Sequence, residues 1–276
     1  RRQSIDDEKR CREKCRWGEC FVKQYFGIVF VFLIKIPIMK KFVLLFAVVF
    51  SVNVFACKCA YQSFGENFAQ NDFVAEIEIL KTYDVDFNNG EDDRFYKADI
   101  KILKLYKGKK ISSILVRGKV SNIYESACEI ELKVGQKMLV YLDTESNFGM
   151  SSCTPKTDLN NENINLERKA LEFLIAHKIK KTNVFYFSGD YFNKFKKIKT
   201  QNNFAVYKIK VDAKSKAESI TVIQNFGSNK DEEILFTVKK ELVFLKNFMT
   251  EIKNEEIILV MFYNPKSEEV ISNFIQ

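Results

Sequence analysis

Two cysteines one residue apart, Cys57-Lys58-Cys59, stand directly after an apolar run that closes on Val54-Phe55-Ala56. Cysteines so placed can hold a metal as thiolates, carry a lipid, or form disulfides. Cys128 and Cys153 lie downstream, and Cys11, Cys15 and Cys20 lie upstream. C-x-C with two distant cysteines lacks the usual C-x2-4-C spacing, and the upstream trio has no His near it. Zinc therefore ranks below disulfides. Cys57 and Cys59 are too close in sequence to pair easily with each other. Each is expected to bridge to one of Cys128 and Cys153, in either arrangement. Each bridge then closes a loop of roughly 70–95 residues, worth about 4 kcal/mol by loop-closure entropy.

Other chemistry is sparse. His177 is the single histidine; it lies near the end of a Lys-rich helical stretch, where capping of carboxyl-end carbonyls is expected. One His cannot build a multi-His metal site. G-x-S-x-G, H-E-x-x-H and a Gly-rich phosphate loop are all absent. The clusters Glu91-Asp92-Asp93 and Asp231-Glu232-Glu233 read as a solvated turn and a helix start. The chain is thus not expected to be an enzyme, and no cofactor is implied.

The segment before Cys57 sets the compartment. Met39-Lys40-Lys41 followed by "FVLLFAVVFSVNVFA" has the basic, apolar and small-residue order of a secretory signal peptide over 39–56, with Val54 and Ala56 at the positions read at cleavage. Phe42–Ala56 is short for a membrane span of roughly 20 residues. Residues 1–38 are expected to be an upstream extension, since Met39 has the form of a start. The mature chain would then be secreted or held in the periplasm or cell envelope. Membrane attachment would require an uncleaved segment or a lipidated Cys57. Residues 1–56 hold 11 Lys and Arg against 5 Asp and Glu, so most of the net charge of +8 sits there. The body is nearly neutral, and no nucleic-acid partner is expected.

The elements that position the cysteines come in two groups. Residues 73–86, 94–106, 111–118, 136–144 and 148–153 read as strands separated by polar or Gly-containing turns. Five such strands predict a small barrel of OB type. Residues 161–179 put Leu166, Ala170, Leu174 and Ile175 on one helical face, predicting a helix packed on it. A polar break at 178–183 separates this first domain (57–180) from a second (183–276). There, strands within 203–225, a helix over 231–248 and a strand over 255–263 predict a small α+β unit. The fold class is therefore mainly β: a five-stranded OB-type barrel with a packed helix, followed by a small α+β domain.

The ordered set Cys57-Lys58-Cys59, "NDFVAEIEI", "FYKADIKILKLYKGKK", "YESACEI" and "MSSC" resembles the N-terminal domain of the tissue inhibitors of metalloproteinases, the netrin-like module, over residues 57–155. The resemblance implies an OB barrel with disulfides Cys57–Cys128 and Cys59–Cys153. It also implies an inhibitory ridge of Cys57, Lys58, Cys59, Ala60 and Tyr61 beside Glu125, Ser126, Ala127 and Cys128. The α-amine and carbonyl of Cys57 would chelate the catalytic zinc of a target protease, displacing the water in its open position. Lys58 stands where the family has a small polar residue, and a lysine is costly to bury in an apolar pocket. Residues 183–265 resemble the C-terminal domain of the TonB energy transducers, which implies a peptide-binding or docking module.

The expected function is an exported protein-binding module, in inhibitory form a TIMP-like metalloendopeptidase inhibitor whose partner is a zinc metalloprotease. The alternative is an envelope lipoprotein or docking scaffold. Lipidation would consume the Cys57 thiol and amine.

Overall fold

A computed structural model describes residues 59, 62–84, 95–120, 128–144, 149–179, 185–187, 192, 194–212, 214–246, 255–264 and 266–272. The expected extension at 1–38 and signal peptide at 39–56 lie outside the described residues. Residues from Ala56 to Gln276 make one compact unit, and it is mainly β. Among the described residues no helix is long and apolar enough to cross a membrane.

The chain enters through a short helix, α1 (Phe64–Gln70). It continues into β1 (Phe73–Asp84), β2 (Phe95–Lys107), β3 (Ser113–Arg117), β4 (Lys137–Leu142) and β5 (Lys156–Asp158). These five strands form one sheet in the order β3-β2-β1-β4-β5, with every neighbouring pair antiparallel. One parallel bridge, Val116 to Met150, joins β3 to the chain that leads toward β5. Its bonds run from Met150 N–H to the Leu115 carbonyl and from Arg117 N–H to the Met150 carbonyl, both 2.7 Å.

β1 is buried on both faces over its first half, although Ala75-Glu76-Ile77-Glu78-Ile79 alternates apolar with acidic residues. Phe73, Ala75, Ile77 and Ile79 enter a core with Tyr96, Ala98, Val116, Met138, Val140 and Met150. Val74 and Glu76 point the other way. The helix α2 (Ile164–Ala176) covers that second face with Ile164, Glu167, Ala170, Leu171 and Leu174. Its buried stripe is rotated from the expected one: Ile175 is exposed and Glu167 is inside. The helix ends at His177, whose Nδ1 lies 2.8 Å from the Phe173 carbonyl and whose ring stacks on Phe173. That contact is the expected C-terminal capping.

A second sheet follows: β6 (Phe185–Phe187), β7 (Phe204–Val211), β8 (Ala217–Gln224), α3 (Asp231–Lys240), β9 (Phe244–Lys246), β10 (Glu255–Asn264) and β11 (Glu269–Ile271). The order β11-β10-β7-β8 is antiparallel throughout, and β6 pairs with β9 as a separate ribbon. Tyr207, Ile209, Leu259 and Met261 pack with Ile234 and Val238 of α3. On the opposite face Val206, Ile258, Val260 and Phe262 pack against Phe64, Phe68, Tyr141, Ile164 and Leu171. Residues on both sides of the 178–183 break thus share one apolar cluster.

Two expectations differ from the structure, and one element was not expected. Residues 148–153 contribute the single bridge at Met150, and the fifth strand is Lys156–Asp158. The helix expected over 231–248 ends at Lys240, and Phe244–Lys246 is a strand because it pairs with Phe185–Phe187, far away in sequence. Residues 64–70, given no element above, form α1. Its start is a capping box: Ser63 N–H and Oγ–H both donate to Glu66 Oε2 at 2.8 Å, and Ser63 Oγ accepts from Glu66 N–H.

Gly65 lets α1 approach the second sheet. A Cβ there would stand 2.3 Å from the Ile258 carbonyl oxygen, a backbone atom that cannot step aside. Gly65→Ala therefore lifts α1 off β10. The alanine gains helix propensity, so a net loss of about 1–3 kcal/mol is expected in chemical denaturation. A variant as stable as the parent would contradict this packing.

Candidate functional site

The expected ridge is built from a segment that the fold ties down at several points. Cys59 is bonded to Cys153, 94 positions further along the sequence, with their Cα atoms 5.1 Å apart. Cys128 is also in a disulfide. The expected Cys57–Cys128 pairing lies outside the described residues, as do Cys57, Lys58, Ala60, Tyr61, Glu125, Ser126 and Ala127. Cys59 and Cys128 are the ridge residues that are described. The structure brings their neighbourhoods together, since Ser152 N–H donates to the Cys128 carbonyl at 3.1 Å, one residue from Cys153.

The turn that carries Cys153 is held by its own polar groups. Ser151 N–H donates to Thr154 Oγ1 at 2.8 Å, and Thr154 N–H donates to the Ser151 carbonyl. Lys156 Nζ donates to the Ser152 and Thr154 carbonyls, and burial holds its pKa below the ordinary lysine value. Downstream of Cys59, Phe64 N–H donates to the Ser272 carbonyl at 3.1 Å. At the other end of α1, Lys107 Nζ donates to the Phe68 and Ala69 carbonyls, occupying acceptors that the helix leaves open. The segment after Cys57 is thus fixed covalently to the first sheet and by backbone contact to the second.

Beside the staple an open cleft of about 610 Å³ runs between β3 and the end of β4. Its walls include Gln62, Gln70, Ser113, Leu115, Thr144 and Met150. Asp72 fixes one rim: it accepts from Thr144 N–H at 2.6 Å and from the Thr144 hydroxyl.

Two polar clusters lie behind this site, between β1, β4 and α2. Glu76 accepts from Arg168 Nε at 2.7 Å and Nη2 at 2.8 Å, and from the Tyr106 hydroxyl at 2.6 Å. Burial alone pushes the Glu76 carboxyl up; the paired guanidinium and the tyrosine hydroxyl outweigh it and hold the pKa below the ordinary carboxylate range. Glu167, 2% exposed, accepts from Thr157 Oγ1 at 3.1 Å. Its Oε1 and the neighbouring Tyr141 hydroxyl are both enclosed without a hydrogen-bond partner. Burial raises the Glu167 pKa to about 7, against the smaller lowering by the Thr157 hydroxyl.

A raised carboxylate has a definite sign. The unfolded chain ionises Glu167 near its ordinary pKa of 4.5, whereas the folded chain holds the proton to about 7. Stability therefore falls as pH rises between these values and levels off above them. Glu167→Gln removes that slope and gains about 3 kcal/mol at pH 8 relative to the parent, at about 1.4 kcal/mol per unit of pKa. Urea denaturation from pH 4 to pH 8 measures it; parallel curves for parent and variant would contradict the assignment.

Sequence reading missed both acidic residues. Their signal is weak: each interrupts an apolar stripe, Glu76 in β1 and Glu167 in α2, at a position that faces inward. Among the described residues no group of three or more His, Cys, Asp or Glu side chains could hold a metal ion. No protein-family model matches the chain, and no curated protein matches its sequence.

Proposed function

We propose that the chain is an exported, non-catalytic protein-binding module whose first sheet is a netrin-like OB barrel, and that it inhibits a zinc metalloendopeptidase through the mature N-terminal Cys57. The observation that carries the reading is the Cys59–Cys153 disulfide, the pairing that the resemblance implies, which pins the segment following Cys57 beside an open cleft. The sheet order β3-β2-β1-β4-β5 supports the OB part, together with the parallel bridge from β3 to the chain entering β5. Disulfides at Cys59 and Cys128 fit an oxidising compartment.

The mechanism is preorganisation. A free α-amine and the adjacent carbonyl form a bidentate ligand for the open position of a catalytic zinc. Holding that dipeptide rigid before binding removes ordering entropy from the cost of association. The four-stranded sheet contributes by seating α1 through Gly65 and Ser272, and so supports the same segment.

The test has two readings from one preparation. Mass spectrometry of the exported protein should give Cys57 as first residue, with a free amine and two disulfides. That protein should slow peptide hydrolysis by at least one member of a panel of zinc endopeptidases, and selective acetylation of the amine should abolish the effect. A diacylglyceryl mass on Cys57 would overturn the reading in favour of an envelope lipoprotein. A free amine with no inhibition would remove the inhibitor function.

A further inference from the structure

The cleft beside the staple has one wall made of strand edge. β2 and β3 pair with Ala98 opposite Ile114 and Tyr96 opposite Val116. Ile100 N–H donates to the Ser112 carbonyl. In an antiparallel ladder, hydrogen-bonded and non-hydrogen-bonded pairs alternate. Ser112, Ile114 and Val116 therefore turn their main-chain groups toward β2, whereas Ser113, Leu115 and Arg117 turn theirs away. The Met150 bridge uses the outward carbonyl of Leu115 and the outward N–H of Arg117. The outward N–H and carbonyl of Ser113 and the N–H of Leu115 remain, and they have no partner among the described residues.

Ser113 and Leu115 both line the cleft. The bridge closes one end: a Cβ on Gly149 would stand 2.5 Å from the Leu115 carbonyl oxygen, so the chain there lies directly on β3. Beyond it the walls separate, because residues 154–158 follow β4 instead, with Tyr141 N–H donating to the Pro155 carbonyl. The far wall offers Gln70, whose Nε2 is enclosed with no hydrogen-bond partner. Donors and acceptors two residues apart on a strand edge match the repeat of an extended main chain, about 6.6 Å. The cleft volume of about 610 Å³ is within the range of ligand sites.

We propose that this cleft takes an extended peptide segment of a partner protein, added as a strand to the β3 edge through the main-chain groups of Ser113 and Leu115. The peptide backbone supplies the hydrogen bonds, and alternate side chains meet Met150 and Leu115 on one side and Gln70 on the other. The inference rests on the reading of the chain as a protein-binding module, but it does not require the Cys57 amine.

The probe is a phage-displayed library of random linear dodecapeptides, panned on the disulfide-intact protein. Selected sequences are then synthesised and titrated by fluorescence anisotropy. Bound peptide should slow hydrogen exchange at the Ser113 and Leu115 amides. Ser113→Pro, tolerated on an edge whose N–H faces outward, should weaken binding about tenfold by removing one donor. If that variant misfolds, N-methylation of alternate peptide amides gives the same test on the parent protein. Failure to select any peptide would overturn the proposal, as would peptides that leave both amides unprotected. Acetylating the Cys57 amine separates the two readings: inhibition is lost and peptide binding is retained.

Discussion

Replacing Cys59 and Cys153 together by serine, with the Cys128 disulfide kept, lowers the free energy of unfolding by about 3–4 kcal/mol. The bonded cysteines stand 94 positions apart, but with Cys57 tied to Cys128, as the resemblance implies, the loop that the bond adds is about 27 residues, and the entropy removed from the unfolded chain grows with the logarithm of that length. Both sulfurs must go, since one free cysteine beside the Cys128 disulfide would invite exchange. The loss divides unevenly over the molecule. α1 keeps its capping box and its bond to Ser272, so its amides stay protected. The 151–155 turn loses its covalent tie, so its exchange quickens. Equilibrium denaturation with hydrogen exchange reads both effects. Coincident denaturation curves for parent and variant would mean that the bond is not formed in the folded protein.

Arg168→Leu destabilises the fold by about 2–4 kcal/mol at neutral pH. Glu76 is then left in a site that excludes water, with the Tyr106 hydroxyl and the more distant Lys104 charge to answer it. The figure is at the lower end for a broken buried pair because about a third of the Arg168 side chain is exposed and water screens it. The sign of the pH dependence identifies the cause. In the parent, the depressed Glu76 pKa contributes stability above the ordinary value of 4.5 that is lost as pH falls through the folded pKa. In the variant, burial, the largest influence on Glu76, is opposed only by Tyr106 and Lys104, so the neutral acid is favoured more than in the parent. The gap between the two proteins therefore narrows in acid. A gap that stays constant from pH 7 to pH 3 would assign the loss to packing of the arginine stem instead.

The strands that were legible are those whose own residues carry the pattern. β2, β3 and β4 are rich in Ile, Leu, Val and Tyr between polar turns, and they appear close to their expected bounds. β5 was not legible: Lys156-Thr157-Asp158 has no apolar period, and it is a strand only because β4 offers it an edge. The 3.6-residue pattern continues past Lys240, yet the chain leaves the helix where Phe244–Lys246 finds Phe185–Phe187. Non-local pairing overrode local periodicity there. α1 is too short for periodicity to reveal, but Ser63 followed three residues later by Glu66 is a readable start signal. The staple followed from cysteine count and spacing to the level of alternatives; the resemblance selected Cys59–Cys153 among them. The cleft was not legible at all, because it arises where β3 and the 149–155 segment diverge.

In the proposed complex the Cys57 amine and carbonyl ligate the catalytic zinc of the protease. Cobalt substituted for zinc in a responsive endopeptidase reports its own ligands through its visible absorption. Adding the protein that begins at Cys57 should shift that spectrum in proportion to inhibition, and the acetylated protein should leave it unchanged. A spectrum that stays constant while the enzyme is saturated with the unmodified protein would contradict the account.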